Sequence, residues 1–106
     1  MSKSRRIAKG DVVARARELW EEGWVSPTGH CKEQLRARNF ALPDIEEALF
    51  SPECKCTAVE QKGRAWRYRL EGCIEEEERE SIGFVFEIDQ ENATLRLVTV
   101  FSMGEV

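Results

Sequence analysis

The one histidine of the chain, His30, is the side chain best suited to proton transfer near neutral pH. In RNA cleavage its imidazole could accept the proton of the attacking 2′-hydroxyl group or protonate the departing 5′-oxygen. Arg38 follows about two helical turns later, so both side chains would lie on one side of a helix, where an arginine can bind phosphate through two hydrogen bonds. The structural alternatives are that His30 bonds to backbone or packs under the first helical turn, and that Arg38 pairs with a carboxylate of a neighbouring helix.

Arg67 and Arg69 form the strongest candidate phosphate-binding pair. They alternate with Tyr68 in a strand-like stretch, so both guanidinium groups should project from one face of a sheet and Tyr68 from the other. In a purely structural role the pair would bind carboxylates on adjacent strands, for which three glutamates are available: Glu60, Glu71 and Glu87. The candidate catalytic residues are His30 and Arg67, and the candidate substrate-binding residues are Arg38, Arg69, Arg36 and Lys32.

The four cysteines raise a second kind of chemistry, zinc binding. Together with His30 they offer enough soft ligands for a tetrahedral site: Cys31, Cys54, Cys56 and Cys73. Structural zinc sites usually pair thiolates about two to four residues apart, whereas only one residue separates Cys54 from Cys56. We therefore expect free thiols, no metal ion and no cofactor, and we retain a zinc-binding protein only as the third functional hypothesis.

Charge is distributed unevenly along the 106 residues, although the net charge is only −4. Residues 1–38 contain nine Lys or Arg against five Asp or Glu, whereas residues 39–106 contain seven against fifteen. This balance excludes a uniformly basic nucleic-acid-binding protein but is compatible with a local basic site. No apolar stretch approaches the roughly 20 residues that span a bilayer, and no secretory signal is recognisable. We therefore expect one cytoplasmic domain over residues 1–106, with no membrane contact.

Three helices are predicted in the first half of the chain by apolar residues at helical spacing and by capping residues at their boundaries. Gly23 ends the first helix, and Thr28 or Ser26 can cap the second. Pro43 suits the first turn of the third. Residues 24–27, between the first two helices, are expected to form a short extended link. The predicted helices cover residues 11–22, 29–38 and 43–50.

Beyond residue 53 the apolar period changes to two, which indicates β-strands. The order predicts an α+β fold in which N-terminal helices pack on one face of a four-stranded antiparallel sheet, with the third and fourth strands central. The aromatic side chains expected in the core are Trp66, Tyr68, Phe84 and Phe86, and the arginines expected on or beside the less covered face are Arg67, Arg69 and Arg96. The predicted strands are residues 54–61, 66–70, 82–88 and 94–101, and residues 72–80, with the glutamate run, are predicted to form a solvated loop.

Four motifs, in this order and spacing, resemble those of a family of small bacterial and phage proteins known only as a domain of unknown function. They are residues 30–40 (HCKEQLRARNF), 44–49 (DIEEAL), 63–72 (GRAWRYRLEG) and 97–101 (LVTVF). The family's helix reads His-Ala-x-x-Arg-Met-x-x-Arg-Gly-Ile, its strand reads Arg-Tyr-x-Val-x-Gly, and its last strand ends in Ile-Thr-Val. The resemblance covers about residues 22–101. That family looks like a branch of the RelE-like fold shared with the endoribonucleases of bacterial toxin–antitoxin pairs.

The resemblance implies a RelE-like fold and, as the leading function, RNA binding or metal-independent RNA cleavage. The implied partners are single-stranded RNA and an antitoxin or another protein. Two positions depart from the family pattern: Gln34 replaces its first helical arginine, and Cys31 replaces the small residue after the histidine. Because Gln34 removes a positive charge and the glutamate run adds negative charge, the alternative is a catalytically silent protein-interaction module of phage or accessory origin.

Overall fold

Three α-helices and five β-strands make up most of the computed structural model, which describes residues 6–75 and 79–103. The α+β class predicted from the sequence is confirmed. A 3₁₀ turn at Lys9–Asp11 precedes the first helix. The helices are α1 (Val12–Glu22), α2 (Gly29–Ala37) and α3 (Leu42–Phe50). The strands are β1 (Trp24–Pro27), β2 (Lys55–Lys62), β3 (Ala65–Glu75), β4 (Arg79–Asp89) and β5 (Thr94–Ser102).

The helix ends follow from local chemistry that the sequence displays. The Thr28 hydroxyl accepts a hydrogen bond from the Cys31 N–H at 3.1 Å and so caps α2. At the start of α3 the Asp44 carboxylate accepts one from the Ala41 N–H at 2.8 Å. Asn39, with φ at 58°, ends the α2 segment in the left-handed conformation that asparagine tolerates. The three predicted helices are therefore confirmed, with boundaries shifted by one residue at most.

The sheet differs from the prediction in its number of strands. Its order is β1-β5-β4-β3-β2, and all neighbours are antiparallel except β1, which runs parallel to β5. The prediction of four antiparallel strands is wrong, because residues 24–27 are a fifth strand and not a free link. Trp24 pairs with Thr94 and Pro27 with Leu97. Four residues are too few to show an alternating pattern, so only contact with β5 defines this strand.

The predicted loop over residues 72–80 is also wrong in its extent. β3 continues to Glu75 and β4 begins at Arg79, with Gly72 opposite Ile82 and Cys73 opposite Ser81. Residues 76–78 of the glutamate run lie outside the described residues. Gly72 explains why the helices fit closely here, since a Cβ atom at this position would collide with the carbonyl oxygen of Ala48 in α3.

All three helices bury their apolar sides against one face of the sheet in a single core. Tyr68, Phe84 and Phe86 are fully buried there, as predicted, whereas Trp66 is only half-buried. Val98 is an extra residue in β5, because Val85 pairs with Thr99 but the next residue of β4 pairs with Leu97. This bulge places both Leu97 and Val100 in the core. Within the described residues no helix is long and apolar enough to cross a bilayer.

Candidate nucleic-acid interface

The face of the sheet opposite the helices carries most of the candidate site residues, and we call it the open face. Strand alternation assigns side chains to it, because the residues between them in the strands lie in the core. As predicted, three arginines share this face. Its main residues are Trp24 on β1, Arg67, Arg69 and Glu71 on β3, Val85 and Glu87 on β4, and Arg96 and Thr99 on β5.

One row of charged side chains crosses three strands of the open face. Arg67 lies opposite Glu87, which lies opposite Arg96. The Arg67 Nε donates to Glu87 at 2.9 Å, and an Arg96 nitrogen is 3.7 Å from the other oxygen of the same carboxylate. Glu87 is 17% exposed and Arg96 60%. The structural alternative for Arg67, a glutamate partner, is therefore confirmed, while Arg96 presents most of its guanidinium to solvent.

Arg69 sits in a different environment on the same face. Its guanidinium lies 4.5 Å from the centre of the Phe101 ring and its Nη2 is 3.9 Å from the Met103 sulfur. Its Nε is 3.5 Å from a Glu71 oxygen, an ion-pair distance without hydrogen-bond geometry, so this buried donor has no hydrogen-bond partner. Stacking on an aromatic ring holds the planar group in place and leaves its other donors for a ligand.

Trp24 is the residue of this face that sequence reasoning missed. Its neighbour Val25 packs on the core, so the indole projects from the open face, beside Thr94, and it is 73% exposed. Tryptophan is enriched at binding interfaces, because its large ring can be buried by a partner while its N–H bonds to a polar group. The only signal in the sequence was a tryptophan in a segment too polar and too short to be a core strand. By contrast, Tyr68 is confirmed as core, because it is 1% exposed, and its hydroxyl accepts a hydrogen bond from the Ile7 N–H at 2.9 Å.

Helix α2 borders the open face along the edge of β5. β1 pairs with β5 only as far as Leu97. Beyond Leu97, the Gln34 side chain of α2 bonds to this edge of β5. The Gln34 side-chain oxygen accepts hydrogen bonds from the Val100 N–H and the Thr99 hydroxyl, both at 2.9 Å. Thr99 is aligned through Val85 with Arg69, so Thr99 and Arg69 are separated by two strand spacings, or about 10 Å, and α2 lies further out, beyond the edge of β5.

His30 and Arg38 lie about one turn on either side of Gln34, along this border. Both are exposed and form no hydrogen bond through their side chains among the residues that the structure describes. The structural alternatives for them, a backbone-bonded histidine and an interhelical ion pair, are therefore wrong. Lys32 and Arg36 are also exposed, but they project from other sides of α2. The structure thus places Arg67 and Arg69 next to each other on the open face, and His30 and Arg38 along the α2 border of that face. Lys32 and Arg36 lie away from the open face.

The cysteines are free thiols in the structure. Burial raises the pKa of Cys54 to about 11, and it also raises the pKa of Cys31 and Cys56. Thiols held in their neutral form are poor nucleophiles and poor metal ligands. Among residues 6–75 and 79–103, no group of three or more His, Cys, Asp or Glu is arranged to hold a metal ion.

Comparison of the chain with protein-family models, with curated proteins and with solved structures yields no match.

Proposed function

We propose that this protein binds single-stranded RNA on the open face and that its α+β fold is of the RelE-like class. The observation that carries the proposal is the exposed Trp24 on the same sheet face as Arg67, Arg69 and Arg96. Single-stranded nucleic acids are bound by exposed aromatic rings, on which bases stack, combined with cations that follow the backbone. The motifs of residues 30–40 and 63–72 support the same proposal, because they resemble those of the domain-of-unknown-function family that looks like a branch of the RelE-like fold.

Each group of the open face has a role in this proposal. Trp24 stacks on one base. Arg96, most of which is solvent-exposed, contacts the phosphate next to that base, and Arg69, three strand spacings from Trp24, contacts a phosphate further along the RNA. The α2 border adds His30 and Arg38, whose side chains have no protein partner among the described residues. Because Glu71 and Glu87 neutralise part of this charge, affinity is expected to depend on stacking as much as on phosphate contacts.

Fluorescence anisotropy of a labelled oligouridylate titrated with the full chain tests binding. Trp24→Ala should weaken binding about 5- to 150-fold, the loss of one stacked base. Phe50→Ala is the matched control, because Phe50 is the other exposed large aromatic among the described residues, 37% exposed, and lies on α3. Raising the salt concentration should also weaken binding, with a logarithmic slope of about −0.7 for each phosphate contact. An unaltered affinity in Trp24→Ala would refute stacking on this face.

Cleavage is the stronger form of the proposal. In it His30 accepts the 2′-hydroxyl proton, the 2′-oxygen attacks the adjacent phosphorus, the bond from phosphorus to the 5′-oxygen breaks, and that oxygen takes a proton from solvent water. For Arg67 to stabilise the charge on the same phosphoryl group, the bound RNA must bridge the two strand spacings, about 10 Å, between β3 and the edge of β5 where α2 lies. The products would be a 2′,3′-cyclic phosphate and a 5′-hydroxyl end, formed without added metal. His30→Ala should abolish cleavage and leave the RNA dissociation constant within about twofold, whereas Glu33→Ala, an exposed neighbour, should change neither. Wild-type protein that binds RNA without cleaving it would limit the function to binding.

The second candidate function is a protein-interaction module, with an antitoxin or another protein as the partner. The same exposed Trp24 and Arg96 favour it, because tryptophan and arginine dominate the binding energy of many protein interfaces. The two candidate functions differ in salt dependence and in ligand. Failure to bind any RNA at low salt, with a folded protein by circular dichroism, would leave the interaction module as the function of this surface.

A further inference from the structure

A cleft of about 470 Å³ lies at one end of the open face, next to Trp24 in the sheet. Glu87, Asp89, Asn92, Thr94 and Arg96 contribute to its walls. Its volume falls within the range of about 300–1,000 Å³ typical of small-molecule sites. Its floor is set by strand pairing, since Asp89 pairs with Thr94 and Thr94 pairs with Trp24.

We propose that this cleft reads one base of the bound RNA and selects guanine. The inference rests on the proposed RNA binding and adds a base specificity to it. Arg96 donates to the O6 and N7 acceptors of the base in the cleft, and the Asp89 carboxylate accepts from its N1 and N2 donors. Trp24, which lies outside the cleft beside Thr94, stacks on a neighbouring base. Asp89 lies opposite Thr94, and Arg96 is two residues further along the same strand, so Asp89 and Arg96 are diagonal neighbours about 7–8 Å apart and one base can lie between their side chains.

Asp89 is prepared as a hydrogen-bond acceptor. The Asn92 backbone N–H donates to one of its oxygens at 3.2 Å, and the Asn92 side-chain amide donates to the other at 2.8 Å. These bonds orient the carboxylate and lower its pKa, so it stays ionised at neutral pH. An ionised carboxylate has about four acceptor positions, and Asn92 uses one on each oxygen.

Arg96 is the matching donor. Only one of its nitrogens approaches Glu87, at 3.7 Å, and the side chain is 60% exposed at the mouth of the cleft. The two oxygens of Glu87 are already engaged by Arg67 and Arg96. Glu87 therefore positions Arg96, and Asp89 is the carboxylate left to accept from a base.

The donor and acceptor pattern of the cleft distinguishes guanine from the other bases. Guanine presents the acceptors O6 and N7 next to donors at N1 and N2, whereas adenine has a donor at N6 where guanine has O6. Adenine would set its amino group against the Arg96 guanidinium and offer no donor at N1 to Asp89. Cytosine could donate from N4 to Asp89 but has no second ring to carry acceptors to Arg96.

The test uses nonamers of uridine that carry one central guanosine, adenosine, cytidine, inosine or 7-deazaguanosine, titrated against the full chain at one salt concentration. Guanosine should bind about 5- to 150-fold more tightly than adenosine. Inosine, which lacks N2, and 7-deazaguanosine, which lacks N7, should each lose part of that preference. Because these changes are made in the RNA, they do not depend on a variant that folds.

Asp89→Asn is the complementary protein variant, with Glu46→Gln on the exposed side of α3 as its control. Asp89→Asn should reduce the preference for guanosine over inosine to about onefold while binding of plain oligouridylate is retained, and Glu46→Gln should change neither. Equal affinity for all central bases, with binding still lost in Trp24→Ala, would overturn the guanine pocket and leave RNA binding intact. No binding of any nonamer would instead refute the proposed function itself.

Discussion

Replacing Gln34 with alanine should destabilise the protein because it removes hydrogen bonds at the edge of β5, and not because it weakens helix α2. The Gln34 oxygen accepts from the Val100 N–H and from the Thr99 hydroxyl, each at 2.9 Å. Strand β1 ends opposite Leu97, so it does not reach the Val100 N–H. Without the glutamine this N–H lies at an unfilled strand edge, on a residue that is fully buried.

The cost follows from the two hydrogen bonds. Each contributes about 1 kcal/mol net, and a buried N–H left without a partner costs about 1–3 kcal/mol, so we expect the free energy of unfolding to fall by about 2 kcal/mol. Alanine is the better helix former, which would raise stability by a few tenths of a kcal/mol if α2 alone mattered. For a domain of this size, the expected loss lowers the melting temperature by about 8 °C.

Urea unfolding followed by circular dichroism at 25 °C measures this loss. Gln34→Glu is the matched variant, because its carboxylate keeps an acceptor at the same place and should stay within about 0.5 kcal/mol of wild type. Glu33→Ala, at the neighbouring exposed position, controls for helix propensity. A Gln34→Ala protein as stable as wild type would refute the assignment of Gln34 as the hydrogen-bond partner of the Val100 N–H at the edge of β5.

Three further perturbations test the fold. Gly72→Ala should cost about 3 kcal/mol in urea unfolding, because the new methyl group meets the Ala48 carbonyl, whereas Gly10→Ala, with open space around it, should be neutral. Arg17→Met should cost about 2 kcal/mol, since the Arg17 guanidinium donates to the Leu49 and Ser51 carbonyl oxygens at the end of α3, at 2.8 and 3.0 Å. A loss of stability smaller than the contribution of an exposed ion pair would contradict this. Cys54, with its pKa raised to about 11, should react with iodoacetamide at pH 8 about 100-fold more slowly than after unfolding. The folded state keeps the Cys54 thiol neutral, so the contribution of this thiol to the free energy of unfolding is complete below pH 9 and is lost as the pH rises towards 11. The difference in free energy of unfolding between wild type and Cys54→Ala should therefore change across that pH window.

Local sequence was sufficient for the elements that depend on neighbouring residues. The threonine cap of α2 and the glycine after α1 act within one helical turn, so the three helices could be predicted. The alternation of Arg67 and Arg69 with a buried Tyr68 is a property of a single strand, which is why their shared face could be predicted. The sequence left three glutamates as possible partners, and the pairing of β3 with β4 selects Glu87 for Arg67.

Features that depend on distant partners were decided by the tertiary structure. Residues 24–27 become a strand only because β5 offers a free edge, and this pairing turns Trp24 onto the open face. The extra residue at Val98 reverses the alternation of β5, so a period of two read along the sequence assigns Val100 to the wrong face. In the sequence Gln34 shows only that an arginine of the family pattern is missing, whereas in the structure its side-chain oxygen accepts the hydrogen bond of the Val100 N–H. The deciding interactions join residues that are 65 or more positions apart for β1 and Gln34, and on a different strand for the bulge, and a pattern read over one helical turn or one strand carries no information about such contacts.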